Sequence, residues 1–335
     1  MTTPEIPTPF VLGPYAIQAA DADAVLDGAA VAEAPVDPLE IAGAGAVSCM
    51  QGLLTADIEK PGEGSYGYGG VLTPKGMIVT DLWVARTATG VSLRVPREAA
   101  PQLLDILHRS LPPRLARVID LSGDHRVLRV VGPEGLAVAA KAGIAIPADG
   151  RIASAVIGGM MAIVSRPVEQ APFVIEVLTS AANTPAVRRR LHEAGAHDGS
   201  AHTLELARIL RGWPRLGAEI DDRTLPQEVR FDELGGVSYT KGCYVGQETV
   251  ARLHFRGHAN RVLRGLVWED APDAEQPLVI QDDKPRGRVT SLAWVSGLDR
   301  WVGLGILRRE VDLDRTVMAC GQAATVSLLP FPMDA

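Results

Sequence analysis

Residues Ser238–Arg261, SYTKGCYVGQETVARLHFRGHANR, concentrate chemistry as no other stretch of this chain does. Cys243 stands beside Lys241, and Gly242 and Gly246 allow tight backbone around it. YVGQETVARLHF then reads as the start of a helix, whose first amides carry partial positive charge. A thiol placed just before such a helix, next to Lys241 and upstream of Arg252 and Arg256, has the surroundings of an activated cysteine. The plain alternative is a small residue in a crowded turn, and the residues alone leave the two evenly matched. Arg252, Arg256, His258 and Arg261 form either an anion-binding surface or a solvated face.

Bulk properties narrow the class. A chain of 335 residues is about twice the ~150-residue prior for one domain, so two or three domains are expected. Hydrophobic residues make up 47%, enough for more than one core. The 40 acidic and 33 basic side chains give a net charge of −7, which disfavours a general binder of nucleic acid or anionic membranes. Cys49, Cys243 and Cys320 make no CxxC pair and are odd in number, as expected in a reducing compartment. The N-terminal MTTPEIPTPFVLGPYAIQAADADAV has neither the basic start and apolar core of a signal peptide nor the arginines of a transit peptide. The longest apolar run, AVIGGMMAIV (155–164), is about half of a membrane span. A cytoplasmic monomer without membrane contact is the expectation.

Along the chain, short branched segments alternate with helical spacing. AVLDGAAV (24–31), GMIVTDLWVAR (76–86) and VSLRVP (91–96) read as strands, and REAAPQLLDILHRSL (97–111) as a helix stopped by Pro112-Pro113. RVLRVVG, PEGLAVAAKAG, APFVIEVL and TPAVRRRLHEAG repeat the strand–helix cycle, which suggests two α+β units. AHTLELARILRGW reads as a further helix. Beyond about residue 260, five short strands separated by turn residues predict a small β-barrel or sandwich.

Other motifs carry less. GAGAVSCMQG (43–52) lacks the third glycine of a dinucleotide loop and reads as a loop into a helix near Ala44. His192, His197 and His202 recur every five residues, a spacing that splays ligands around a helix instead of aligning them. Neither a Walker motif nor a G-x-S-x-G elbow is present. Arg208 and Glu228 are placed to hold an interdomain loop by charge-assisted hydrogen bonds, or to line a pocket at a domain junction.

KGCYVGQETVAR (241–252) resembles the K-G-C-[YF]-x-G-Q-E signature of the YgfZ family, folate-binding proteins that act in iron–sulfur cluster assembly or repair. LEIAGAGAVSCMQGLLTADI looks like that family's N-terminal segment, and YGGVLTPKGMIVTDLWVAR matches its Y-G-x-x-L-T-P-x-G-x-x-x-x-D element, with Thr73, Pro74, Gly76 and Asp81 in place. ARILRGWPRLGAEIDDRTLPQEVRFDELGGVSYTKGCYVGQE parallels the block R-I-x-x-G-x-P, P-Q-E, K-G-C, so the likeness runs in order from about residue 36 to about 265.

The family shares its architecture with the aminomethyltransferase (T-protein) of the glycine cleavage system. The resemblance therefore implies an α+β fold of three domains in a ring. Residues 1–35 and 111–252 would form an α+β domain carrying the cysteine motif, residues 36–110 an interleaved α+β domain, and residues 253–335 a C-terminal β-barrel. It implies tetrahydrofolate in the central cavity, with Asp81, Arg208, Glu228, Lys241, Gln247, Glu248 and Arg252 as expected contacts and Cys243 as the functional thiol. Lys241, Tyr244 and Gly246 are shared with the aminomethyltransferase turn, whereas Cys243, Gln247 and Glu248 distinguish this branch.

The S-R-T-G-Y-T-G-E-D motif of the aminomethyltransferases is missing; VSRPVEQAPFVIEVL (164–178) occupies that region. Orthodox aminomethyl transfer is accordingly not expected, and a folate-dependent one-carbon transferase or demethylase is the alternative to an accessory factor. No permanently bound metal is expected, because one thiolate cannot hold a cluster that needs four ligands. The implied partners are iron–sulfur assembly proteins or client iron–sulfur enzymes, with no nucleic acid.

Overall fold

Short runs of Val, Ile and Leu that alternate with polar residues build three sheets in this chain. The computed structural model describes residues 17–332; residues 1–16, which include most of the segment read for targeting signals, and residues 333–335 lie outside the described residues. The first sheet has six strands in the order β11-β1-β7-β10-β9-β8. They are β1 (Ala30–Glu33), β7 (His125–Val131), β8 (Arg151–Ile157), β9 (Met160–Arg166), β10 (Ile175–Ser180) and β11 (His197–Asp198). The second has five, β3-β4-β5-β2-β6: β2 (Val36–Ala42), β3 (Tyr66–Leu72), β4 (Ile78–Thr87), β5 (Gly90–Pro96) and β6 (Arg117–Asp120).

The chain passes from β1 in the first sheet to β2 in the second across only Ala34 and Pro35, and returns between β6 and β7. The two units are thus interleaved, and the pairing of β6 with β2 carries the second sheet past residue 110.

Helices cover the outer faces. Helix α2 (Ala46–Gln51) and α3 (Ala100–Ser110) pack on the second sheet, where Leu103 and Leu107 meet Leu93 and Val95. Helix α4 (Gly135–Lys141) and α5 (Thr184–Glu193) cover the first, burying Ala139, Val187 and Leu191. The side chains of β5 divide cleanly: Val91, Leu93 and Val95 enter the apolar core, and Ser92 and Arg94, also buried, point to the opposite face. A buried arginine on an apolar strand needs a partner, and it finds one in the first sheet.

The C-terminal region closes into a six-stranded antiparallel barrel, β12-β15-β14-β13-β16-β17. Its strands are β12 (Arg261–Trp268), β13 (Leu278–Gln281), β14 (Lys284–Val295), β15 (Arg300–Arg308), β16 (Val317–Ala319) and β17 (Gln322–Ser327). The sequence predicts five of the six; β16 spans three residues and is too short to show a period. Leu266, Trp268, Leu292 and Leu307 fill the interior.

Two further differences have local causes. The strand expected over 24–31 is split between α1 (Ala19–Leu26) and β1, because the four alanines and the leucine of AADADAVL favour helix and Gly28 follows it. The apolar run AVIGGMMAIV is the β8–β9 hairpin, turned by Gly158 and Gly159 at φ +57° and +87°, the pair of left-handed residues a two-residue hairpin loop requires. Helix α6 (Ala201–Leu210) and α7 (Gln247–Arg256) complete the order. Among the described residues no helix is long and apolar enough to cross a membrane.

Candidate functional site

Between the two sheets and α6 lies a cavity of ≈ 260 Å³. Strand β4 supplies Asp81 and Trp83, alternate residues that share one face; β5 supplies Arg94, and β7 supplies Arg129. Phe173 closes one side, and α6 with the turn after it adds Glu205, Arg208 and Trp213. Aromatic rings form the wall. Trp83 stacks on Trp213 at 5.6 Å between ring centroids and 16° between planes, and meets Phe173 edge-on at 4.9 Å. The result is an apolar, flat-sided space with a few polar atoms at its margin, the usual make-up of a small-molecule site.

Several polar atoms at this margin are orphaned, Asp81 Oδ1 and Arg94 Nη2 among them. The Tyr68 hydroxyl donates to Asp81 Oδ2 at 3.1 Å, but the buried Asp81 Oδ1 has no partner among the described residues. Burial pushes the Asp81 carboxyl up to about 6; the Tyr68 hydrogen bond opposes that rise and the nearby Glu98 charge adds to it. In the first sheet, the fully buried Glu176 accepts from Arg94 Nε at 2.9 Å and from Arg129 Nε at 3.0 Å. Arg94 Nη2 is left buried and unpartnered. A free acceptor therefore borders the aromatic wall together with free donors, Arg94 Nη2 and the Trp213 indole Nε1 among them, and each costs free energy until something pairs with it.

Arg208 joins the cavity to the barrel. Its Nη1 donates to the Trp213 carbonyl at 2.7 Å and to Glu219 Oε2 at 2.9 Å, and its Nη2 donates to Ser291 Oγ at 2.6 Å. Ser291 Oγ donates onward to Glu219 Oε1 at 2.6 Å, where the Thr290 hydroxyl also arrives at 2.7 Å. Burial alone would raise the Glu205 carboxyl, but Arg208 and Arg215 outweigh it and hold Glu205 below its ordinary value.

The cysteine turn is built elsewhere. Lys241 Nζ donates to three carbonyls at the end of α2 and just beyond: Gln51 at 2.7 Å, Leu54 at 2.8 Å and Ala56 at 2.8 Å. Burial lowers the Lys241 ammonium to about 8, against the opposing pull of Asp57 and Glu59. Gly246 has φ +82°, and a Cβ there would lie 2.5 Å from the Thr73 carbonyl, so glycine is required. Gln247 Oε1 accepts from the Tyr244 amide at 2.9 Å and closes the turn into α7. Cys243 is exposed at its tip.

Of the residues expected at a ligand, Asp81 and Arg208 come together at the cavity; Cys243, Lys241, Gln247, Glu248 and Arg252 do not line it. Glu228 borders a separate space of ≈ 10 Å³, where it accepts from Arg261 Nε and Nη2 at 2.8 and 2.9 Å. The three recurring histidines do not converge: His192 meets the Ala196 carbonyl and His197 meets Asp21. Among the described residues, no group of three or more His, Cys, Asp or Glu is arranged to hold a metal ion. Sequence reasoning missed Trp83, Arg94, Arg129, Glu176 and Trp213. For the three charged residues the signal available was a charge flanked by apolar residues within a strand, in VSLRVP, RVLRVV and VIEVL.

Residues 13–234 match the family model of the GCVT N-terminal domain. A protein of Escherichia coli O127:H6 called tRNA-modifying protein YgfZ is 30% identical over 302 residues, covering 87% of this chain and 89% of its own length. This chain belongs to the YgfZ family. Another YgfZ, from an Enterobacter species and also called a tRNA-modifying protein, is 26% identical over 300 residues, with 87% and 89% covered. The fold is that of aminomethyltransferase T of the Bartonella henselae glycine cleavage system, with a TM-score of 0.78 over 94% of this chain and 89% of that one, at 17% identity. For a YgfZ-family chain, then, the aromatic cavity sits inside a shared scaffold and the cysteine turn is displayed on its outside.

Proposed function

We propose that this protein binds tetrahydrofolate in the cavity beside Asp81 and serves iron–sulfur proteins as an accessory factor in cluster assembly or repair, with Cys243 as its functional thiol. The observation that carries the ligand half is the unpartnered Asp81 Oδ1 at the edge of the Trp83–Trp213 wall. The pyrimidinone half of a reduced pterin is flat, with N–H donors on one edge and a carbonyl beside them. Asp81 Oδ1 suits such a donor, Arg94 Nη2 suits the carbonyl, and the indole rings suit the face. Bound reduced folate would supply a carrier for one-carbon units at its ring nitrogens.

The thiol half is supported by the exposed placement of Cys243 outside the cavity, on a turn held by Lys241. A thiol there faces other macromolecules and not the buried ligand, which fits a protein that serves partners. The partners in this reading are iron–sulfur assembly proteins or client enzymes. The relatives' name, tRNA-modifying protein, is accommodated if the enzyme served is an iron–sulfur enzyme that modifies tRNA.

Calorimetry with reduced folate tests the first half; no binding heat would leave a docking protein without this ligand. For the second, Cys243→Ala should fold and bind folate yet fail to restore [4Fe–4S] enzyme activity in a deletion strain. Full rescue by both Cys243→Ala and Cys243→Ser would show that the thiol is dispensable. A deletion strain with every [4Fe–4S] enzyme fully active, under oxidative stress as well, would remove the accessory role.

One observation favours a second reading, a folate-dependent one-carbon transferase or demethylase: the Asp81 carboxyl, at about 6, is poised to exchange a proton near neutral pH. Steady release of methylene-tetrahydrofolate and ammonia from an aminomethyl-thioether donor, whose carbon is already at the formaldehyde level, would decide for it.

A further inference from the structure

One end of the barrel gathers arginines that nothing in the cavity or the cysteine turn uses. Arg261 and Arg308 stand directly opposite each other in the β12–β15 pair, and the Arg309 amide donates to the Asn260 carbonyl at 3.0 Å, which brings it to the link between α7 and β12. Like charges directly opposite on a sheet are unfavourable unless neutralised. Glu228 neutralises Arg261 through two hydrogen bonds. Among the described residues Arg256, Arg308 and Arg309 have no carboxylate partner.

On α7, Phe255, next to Arg256 in the chain, is 67% exposed on the last turn, and Val245 is 36% exposed before the first. An exposed aromatic ring among unpaired arginines, on a chain of net charge −7, is the composition of an interface centre and not of ordinary surface.

We propose that the exposed face of α7 and the adjoining barrel end at Arg308 and Arg309 dock an acidic segment of a partner protein, with an apolar side chain of that segment covering Phe255. The inference rests on the accessory-protein reading above, because the partner so held would lie along the helix that begins at the Cys243 turn; α7 is 10 residues, about 15 Å long. Charge complementarity selects an acidic occupant. The local rings disfavour single-stranded RNA: Tyr239 and His254 stack on each other at 3.6 Å, and Phe255 meets His254 edge-on at 87°. Phe255 also meets Tyr239 edge-on at 6.0 Å, so the three rings are spent on one another and leave few open faces for successive bases.

The test uses the full-length protein and two labelled probes, a peptide of alternating Glu and Asp around one Phe, and a short oligouridylate, followed by fluorescence anisotropy at low and high salt. The protein should bind the peptide, and Arg256→Glu/Arg309→Glu and Phe255→Ser should each weaken it by about tenfold or more. A peptide with Lys in place of Glu should recover binding to the Arg→Glu variant. Reduced-folate affinity and melting temperature should stay at wild-type values, so loss of this surface is distinguishable from loss of the folate site. Equal peptide binding by wild type and variants, no peptide binding at all, or tighter binding of the oligouridylate than of the peptide would each overturn the proposal.

Discussion

Replacing Asp81 by Asn should make the protein more stable near neutral pH and a poorer folate binder. Burial raises the Asp81 carboxyl from 3.8 to about 6, a gap of roughly two pH units at ~1.4 kcal/mol each. Keeping it ionised at neutral pH therefore costs on the order of 3 kcal/mol. Between 3.8 and about 6 the folded protein holds a proton that the unfolded chain has released, so stability falls as pH rises through that window and levels off above it. Asn is neutral throughout, nearly isosteric, and keeps an oxygen for the Tyr68 hydroxyl. Its amide nitrogen replaces an oxygen that has no partner, so the pairing in the cavity is otherwise unchanged.

Urea unfolding followed by tryptophan fluorescence, with Trp83 and Trp213 at the cavity as reporters, should show the two proteins alike near pH 4. Near pH 7 the variant should be more stable by up to about 3 kcal/mol and lack the wild-type slope. Calorimetry should show weaker binding of reduced folate. A variant that is less stable near neutral pH yet binds folate normally would refute the argument, making Asp81 a structural residue.

Lys241→Met leaves the Gln51, Leu54 and Ala56 carbonyls without their shared donor, a loss of about 1–3 kcal/mol. Limited proteolysis should then cut within 238–246, with folate affinity retained because Lys241 does not line the cavity. Arg261→Ala strips the buried Glu228 carboxylate of its two charged donors and should lower stability by about 2 kcal/mol, less than a fully buried pair because the Arg261 side chain is 45% exposed. The melting temperature reports it, and a double-mutant cycle with Glu228→Gln should return most of the loss.

How much of this was legible follows from how local each signal is. KGCYVGQE carries its own turn chemistry, since Gly246 and the helix start after it act within a few residues, and the structure has Gly246 at φ +82° immediately before α7. Helices α3, α5 and α6 show their period in the sequence and form within a few residues of the expected bounds. The cavity was legible only in part. Asp81 and Arg208 declare themselves as charges in telling places, but Trp83 gains meaning only when Trp213, 130 positions later, stacks on it. Glu176 likewise reads as an oddity in VIEVL until Arg94 and Arg129 arrive from two other strands. Sheet order is non-local, and the charges that sheets bring face to face are therefore hidden from periodicity.

The three carbonyls that hold Lys241 lie 185 to 190 positions upstream of it. Closing so long a loop comes late in folding, since its entropy must be met before the contact repays it. The thiol's presentation is consequently a property of the finished molecule. On a nascent or half-folded chain Cys243 is an ordinary cysteine on a loose segment, and only completion of the second sheet with α2 fixes it at the tip of its turn. The lysine works as a clasp, tying the display of the Cys243 thiol to the arrival of the whole fold.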